Sequence, residues 1–461
     1  MPEEELAELK SKIHIRNAIR LLEGMKFNGG IYIKLGQHLS ALGYILPLEW
    51  TETFRVLHDR CPSTSKDEVN DMLIKDFGKG IDEIFSEFDD EPIGVASIAQ
   101  VHRARLRDSG QEVAVKLQHP KISRYSSFDL KTTTAIVKLA KKLLPNFEFS
   151  WLAEEMNQNM PIELNFKFED ENASRARENF ANSKQLALKI PIVYWANRRM
   201  ICMEFVTGAK LNDHVYMKKH GIDANQVSRE ITKIFSEMIY LHGWVHCDAH
   251  PGNLMIRASD NKEGFEVILL DHGLYRHLSE DFRFLYAKLW LSIIEKNTEK
   301  IREYSFLLGG TDATYKLITG ILTGNSWSSI QPSDADQSTG KKDMSARFIS
   351  LVPDIAHLLS QVPRELIFLF KTQDLLKLVH QDLGATQDQK VQYLIMARYC
   401  SEVIYQSHFS RTFKSPVDGM ILFEKSIFSF MGAWLSYWGF RLQLKFYLFV
   451  LSIWPNFDLA K

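Results

Sequence analysis

From Glu3 to about Leu48 the apolar positions Leu6, Leu9, Ile13, Ile15, Ile19 and Leu22 recur at mixed three- and four-residue steps, the period of an amphipathic helix. Asn28-Gly29-Gly30 interrupts that pattern, and IYIKLGQHLSALGYILP resumes it as a second helix with Lys34, Gly36 and Gln37 near its start. Thr53 to Leu57 and Asp67 to Phe77 read as further helices, separated by the break and N-cap signal at Pro62 to Ser65. After Asp90 the period changes. Two partly alternating apolar runs between Ile93 and Leu117 flank the turn signal Asp108-Ser109-Gly110, which predicts a β-hairpin behind a loop of small residues.

Phe128 to Leu144 and Trp151 to Asn179 return to helix. The second of these carries Glu154, Glu155, Glu163, Glu169, Asp170 and Glu171, most of them suited to a solvated face. Short strands follow at Ile190 to Val193 and Met200 to Phe205. Met203-Glu204-Phe205 then runs into Val206-Thr207-Gly208, an apolar-acid-aromatic passage placed where two lobes would hinge. Helices dominate from Asp223 onward, interrupted by the apolar strand Val267 to Leu270, and the polar stretch Ser326 to Ser345 reads as a loop. Past Phe409 the chain turns aromatic, with Phe428, Phe430, Trp434, Trp438, Phe440, Phe446, Tyr447, Phe449 and Trp454. Two readings stay open there: a buried terminal helix pair, or a helix in a membrane interface with Arg441 and Lys445 at headgroup level.

Composition narrows the class. With 461 residues and 45% hydrophobic content the chain has material for two to four domain-sized units and a large core. Its 56 basic and 57 acidic side chains leave no overall positive field for nucleic acid. Cys61, Cys202, Cys247 and Cys400 lie far apart without a CxxC pair, against both a disulfide framework and a structural zinc site, and a reducing compartment or organelle matrix suits them. The opening MPEEELAELK is acidic, unlike a secretory or mitochondrial presequence. The apolar runs Ile427 to Phe440 and Phe446 to Pro455 fall short of the ~20 residues that span a bilayer.

Candidate chemistry concentrates in IYLHGWVHCDAHPGNLMIR (239–257) and VILLDHGL (267–274). Asp248 and Asn253 stand five residues apart, the spacing of a kinase catalytic loop in which the Asp holds the acceptor and the Asn reaches magnesium. Asp271 ends a strand just before Gly273, the position of a second magnesium ligand. A capped turn after a helix explains Asp248 and Asn253 equally well when they are taken alone. Upstream residues break the tie. Gly94, Val95, Ala96 and Ser97 form a loop that lets backbone approach a phosphate, and Lys116 ends a VAVK strand, where kinases place their phosphate-pairing lysine. A lysine so placed needs an acid on a helix as counter-charge. The alternatives fare worse: Gly243, Pro251 and Gly252 break the helix that would gather His242, His246 and His250 on a metal, and no GxSxG elbow serves a hydrolase.

Taken together these residues resemble the UbiB family of atypical protein-kinase-like proteins, also called ADCK or aarF-domain kinases. Lys34-x-Gly36-Gln37 is similar to the family's KxGQ motif, Gly94 to Ser97 to its alanine-rich loop, His246 to Asn253 to its HxDPHPGN, and Asp271-His272-Gly273 stands for DFG. Glu163-x-Asn165 sits where the family has ExD, and Glu169 matches the glutamate that pairs with Lys116. The wording GVAS, DHGLY and FVTG is most similar to the mitochondrial branch linked to lipid homeostasis.

The resemblance implies an α+β, protein-kinase-like bilobal fold, mostly helical, with the KxGQ extension packed over the active site. Residues 1–90 are the extension, 91–206 an N-lobe with a helical insert, and 207–461 a C-lobe with a helical C-terminal extension. It implies ATP and Mg2+ as cofactors, with Asp248, Lys116 and Glu169 as catalytic residues. Gly94 to Ser97, Lys116 and Glu204 hold nucleotide, and Asn253 and Asp271 hold metal. Lys34 approaches Glu163 and hinders entry of a protein substrate, so that an ATPase or small-molecule kinase is expected rather than an ordinary protein kinase. A role in mitochondrial lipid or coenzyme Q homeostasis follows by the same resemblance, with a lipid or quinone ligand and peripheral membrane association. Three departures qualify it: Asn165 replaces the second acid of ExD, Ala249 replaces a proline, and Gly94 and Val95 interrupt the alanine run. A nucleotide-binding pseudokinase scaffold and a lipid carrier are the rival readings.

Overall fold

The computed structural model describes residues 3–40, 46–58, 63–143, 150–312, 314–323, 362–385, 389–413 and 420–453. Ser326 to Ser345, Cys61 and Trp454 lie outside them. A first antiparallel sheet runs in the order β1 (Phe85–Phe88), β3 (Ala99–Leu106), β4 (Glu112–Gln118), β7 (Met200–Glu204), β6 (Val193–Ala196), with β2 (Gly94–Val95) added to β3. The expected hairpin is β3 and β4, and Gly110 takes the left-handed φ of +69° that its turn requires. Alternation along β4 sorts its side chains onto two faces. Val113, Val115 and Leu117 pack with Val69, Met72 and Leu73 of the Lys66–Phe77 helix, while Ala114 joins a cluster with Met156, Met160 and Phe166 on the other face, the face Lys116 shares by parity.

The second sheet runs β5 (Leu188–Lys189), β11 (Phe265–Leu269), β10 (Leu254–Ala258), β8 (Ala209–Lys210), and a two-stranded ribbon pairs β9 (Trp244–His246) with β12 (Tyr275–His277). Around these lies a helical core built on the Glu280–Ile294, Arg364–Asp382 and Gln389–Phe413 helices, in which Trp290, Tyr286, Phe370 and Tyr399 are fully buried. The two N-terminal helices, Glu3–Asn28 and Gly30–Ser40, have a small core of their own with Leu48–Arg55, made of Met25, Ile33, Phe54 and Leu57.

Three expectations are corrected. The helix expected over 151–179 is two, Ser150–Glu163 and Phe166–Phe180, because Pro161 removes a donor near the end of the first and Asn165 caps the second, its side chain accepting from the Lys167 amide at 3.3 Å. The strand expected at 190–193 lies at Val193–Ala196, and residues 190–192 link it to β5, which pairs in parallel with β11 of the other sheet. The buried terminal helix pair is a single helix, Met420–Ile453, of 34 residues. At ~50 Å it is longer than the 25-residue Gln389–Phe413 helix it packs on. Tyr405 stacks against Phe430 and Tyr437 on the packed side. Met431, Trp434, Leu435, Trp438, Leu442 and Phe446, recurring at three- and four-residue steps, are exposed on another. None of the helices among the described residues is long and apolar enough to cross a membrane.

Candidate active site

β4 delivers Lys116 beneath the Phe166–Phe180 helix, whose first turn carries Glu169. The Lys116 ammonium donates to both Glu169 carboxylate oxygens, at 2.8 and 3.0 Å, and to Asp271 Oδ2 at 3.0 Å, with the Phe166 ring 5.3 Å away. Asp271 follows the buried strand β11, and its Oδ1 accepts from the Gly273 amide at 2.8 Å, closing the turn. The same turn is pinned from behind. His246 Nε2 bonds the Asp271 carbonyl oxygen at 2.8 Å, Asn172 donates to the His272 carbonyl at 2.9 Å, and the His272 ring lies between Tyr275 Oη and the Leu269 carbonyl. Burial, reinforced by His246, takes the His272 imidazole down to about 3, so it is neutral and serves as a spacer.

A second ion cluster meets this one. Lys34, on the Gly30–Ser40 helix, donates to Glu163 Oε2 at 2.9 Å and is hydrogen-bonded to Asp248 Oδ2. Three residues on, the Gln37 amide nitrogen donates to the Leu57 carbonyl at 3.0 Å while its oxygen accepts from the Ser97 hydroxyl at 3.2 Å. One short helix therefore holds Asp248 with one side chain and the small-residue loop with another. Gly36 permits the approach, since a Cβ there would lie 2.2 Å from Leu57 Cδ1 and 2.9 Å from Met25 Sδ.

Where the other expected residues lie is equally specific. Gly94 and Val95 pair with Val101 and Gln100, and the Ala96 amide donates to the Ala99 carbonyl at 2.7 Å, so the loop is a tight turn. The Asn253 side-chain amide nitrogen reaches the Asp248 carbonyl at 3.4 Å, bracing the loop between them. Asn165 is the helix cap described above. The Glu204 carboxylate is taken up by Lys189 at 2.8 Å and by the Ile192 amide at 3.1 Å. His242, His246 and His250 have separate partners: His242 stands edge-on to Phe180, and His250 Nδ1 accepts from the Gly252 amide at 3.1 Å.

Sequence reading missed a third layer. Lys371, on the Arg364–Asp382 helix, is largely covered and pairs with the buried Glu155 at 2.6 Å, and His38 is buried nearby with Nε2 unpartnered. Burial, Lys371 and Lys34 bring the His38 imidazole down to about 4. The one signal for Lys371 is a lone cation inside LIFLFKTQDLL, an apolar run that otherwise needs no charge.

The electrostatics follow from the count. Lys34 and Lys116 face four carboxyl groups, Glu163, Glu169, Asp248 and Asp271, in a largely buried cluster, and that imbalance is met by two of the four holding their protons more tightly. Burial pulls both ammonium groups down, but the adjacent carboxylates outweigh it and hold them above the ordinary lysine range. Burial pushes the Asp248 and Asp271 carboxyls up, and Lys34 and Lys116 respectively overcome it, keeping both well below the usual carboxylate range. For Glu163 and Glu169 burial wins: both are raised, Glu169 to about 7. Glu163 Oε1 is buried without a hydrogen-bond partner. Among the described residues no group of three or more His, Cys, Asp or Glu side chains is placed to hold a metal ion; the carboxylate of Asp271, the amide oxygen of Asn253 and the orphaned Glu163 Oε1 are the oxygen donors of the kind magnesium takes.

Residues 56–305 match the model of the ABC1 atypical kinase-like domain. The chain is 42% identical to AarF domain-containing protein kinase 1 of Gallus gallus over 406 residues, 87% of this chain and 77% of that protein. It is 37% identical to ABC1 family protein MCP2 of Saccharomyces cerevisiae over 464 residues, 97% of this chain and 81% of the relative. The chain belongs to the ABC1 atypical kinase-like family. Its α+β kinase-like fold agrees with that membership. The matched span takes in Lys116, Glu163, Glu169, Asp248 and Asp271, whereas the Gly30–Ser40 helix precedes it.

Proposed function

We propose that this member of the family is an ATP- and magnesium-dependent atypical kinase or ATPase, with Lys116 as its phosphate lysine. The observation that carries the reading is the Lys116 ammonium bridging Glu169 and Asp271, the arrangement in which kinases align phosphates. Glu169 fixes the lysine, and the Gly94 to Ser97 turn brings backbone amides close to the phosphates. Glu204 marks the hinge edge of the nucleotide pocket through its backbone, since its carboxylate is engaged by Lys189. Asp271, Asn253 and Glu163 Oε1 would hold magnesium, which when bound neutralises charge on the phosphate oxygens. Asp248, ionised beside Lys34, orients the acceptor hydroxyl. Lys34 and Gln37 occupy the entrance a peptide would use, which supports a small acceptor or water. The wording shared with the lipid-linked mitochondrial branch supports a mitochondrial setting and a lipid or quinone substrate, and the exposed aromatic face of Met420–Ile453 suits peripheral contact with a membrane.

A second reading is a nucleotide-binding scaffold, favoured by Lys34 sitting directly on Asp248 and by the neutral Asn165. Phosphate release from Mg·ATP, with and without anionic liposomes, separates the two. The enzyme reading predicts release by the wild-type chain well above an Asp248→Asn variant. Equal release by both would leave the scaffold.

A further inference from the structure

We infer that a cavity behind the catalytic loop is a binding site for a phosphate-class anion, separate from the nucleotide's own phosphates. It lies between the Ser150–Glu163 helix, β12 and the start of the Arg364–Asp382 helix, with Asn159, Arg276, Arg364 and Phe368 in its wall. Its volume of about 220 Å³ is below the ~300 Å³ at which drug-sized sites begin, so it suits a headgroup or a free ion.

What the cavity offers is donors. Asn159 is 1% exposed, its Oδ1 accepts from the Arg276 guanidinium, and its Nδ2 has no hydrogen-bond partner. A buried amide N–H without a partner is costly, and a ligand oxygen relieves that cost. Arg276 has no carboxylate partner among the described residues, and its guanidinium lies 5.7 Å from the Phe368 ring centroid. Arg364 is already committed, to Gln158 and to Glu154 at 3.2 Å. Two acids also line the wall. Glu155 is neutralised by Lys371 at 2.6 Å, and Glu365 stands half-buried in the first turn of its helix. The unspent groups are thus the Arg276 cation, the Asn159 amide donor and, at the start of its helix, the Glu365 carboxylate; an acceptor-only ligand with a negative charge complements the first two where they meet. Phe368 also packs against Cys247 and Leu274, so the wall of the cavity is the back of the loop that carries Asp248.

The inference does not depend on the nucleotide reading, and its test keeps the two apart. Inorganic phosphate and glycerol 3-phosphate are titrated calorimetrically into the full chain, and phosphatidylcholine vesicles with and without phosphatidic acid are tested by sedimentation. Wild type and Lys116→Ala should bind alike, whereas Arg276→Gln and Asn159→Asp should bind at least about ten-fold more weakly. Asn159→Asp keeps an acceptor for Arg276, so an unchanged melting temperature shows that the loss is not unfolding. Binding of the soluble phosphates identifies a free anion as the source. Binding confined to phosphatidate vesicles identifies a lipid headgroup. No binding by wild type in any arm, affinity unchanged in Arg276→Gln, or loss in Lys116→Ala alone overturns the assignment.

Discussion

Glu169 carries the most consequential charge at the residue scale, because burial lifts its carboxyl to about 7 while Lys116 pulls the other way. A group whose folded pKa is raised lends stability that is complete below its unfolded value and is lost as pH rises through the folded one. Relative to Glu169→Gln, the wild-type chain should therefore lose stability between about pH 4.5 and about 7, by up to about 1.4 kcal/mol per pH unit. Asp248 and Asp271 are depressed instead and act only in acid, so they do not obscure that window. Denaturant melts across the range check it, and parallel curves for the two proteins would contradict it. Lys116, Asp248 and Asp271 stood out because each sits in a short string with its own spelling, whereas Glu169 was one of six acids on its stretch and was singled out only by the family resemblance. Their charges were not legible, since a pKa depends on burial and on neighbours up to 155 residues away, as Lys116 and Asp271 are.

Among the elements, the Gly30–Ser40 helix is the one through which the rest of the site is held. Its period alone announced an amphipathic helix; the family resemblance singled out Lys34, Gly36 and Gln37 and implied the pairing with Glu163. Nothing in the spelling showed that Lys34 also takes Asp248, or that Gln37 grips Ser97, because those contacts are made only when the helix folds across both sheets. Asn165 shows the reverse case. Noted in the sequence as a departure from ExD, it is a helix cap in the fold, and the cap divides what period alone had joined into one helix. Gly36→Ala sets a methyl against the buried Leu57 and Met25 side chains and should cost about 1–3 kcal/mol, with faster amide exchange over residues 30–40. Stability within about 0.5 kcal/mol of wild type and unchanged exchange would show that the close approach is dispensable.

Over the whole molecule, the β3–β4 hairpin, β7, β11 and the helical second half were legible from changes of period, while β5, β8, β10 and the placement of surfaces were not. The terminal aromatics left two readings open, core or membrane interface, and on a single 34-residue helix only one side can meet the neighbouring helix. The charges at the centre depend on the assembled fold in the same way. Lys116 comes from the first sheet, Glu169 from a helix, and Asp271 follows a strand of the second sheet, so the proposed magnesium-nucleotide site depends on all three parts being assembled. Equilibrium binding of Mg·ATP to the purified full chain tests this most directly. Measurable affinity in the wild type, lost in both Lys116→Ala and Asp271→Asn, is the predicted result. Unchanged affinity in both variants would contradict it.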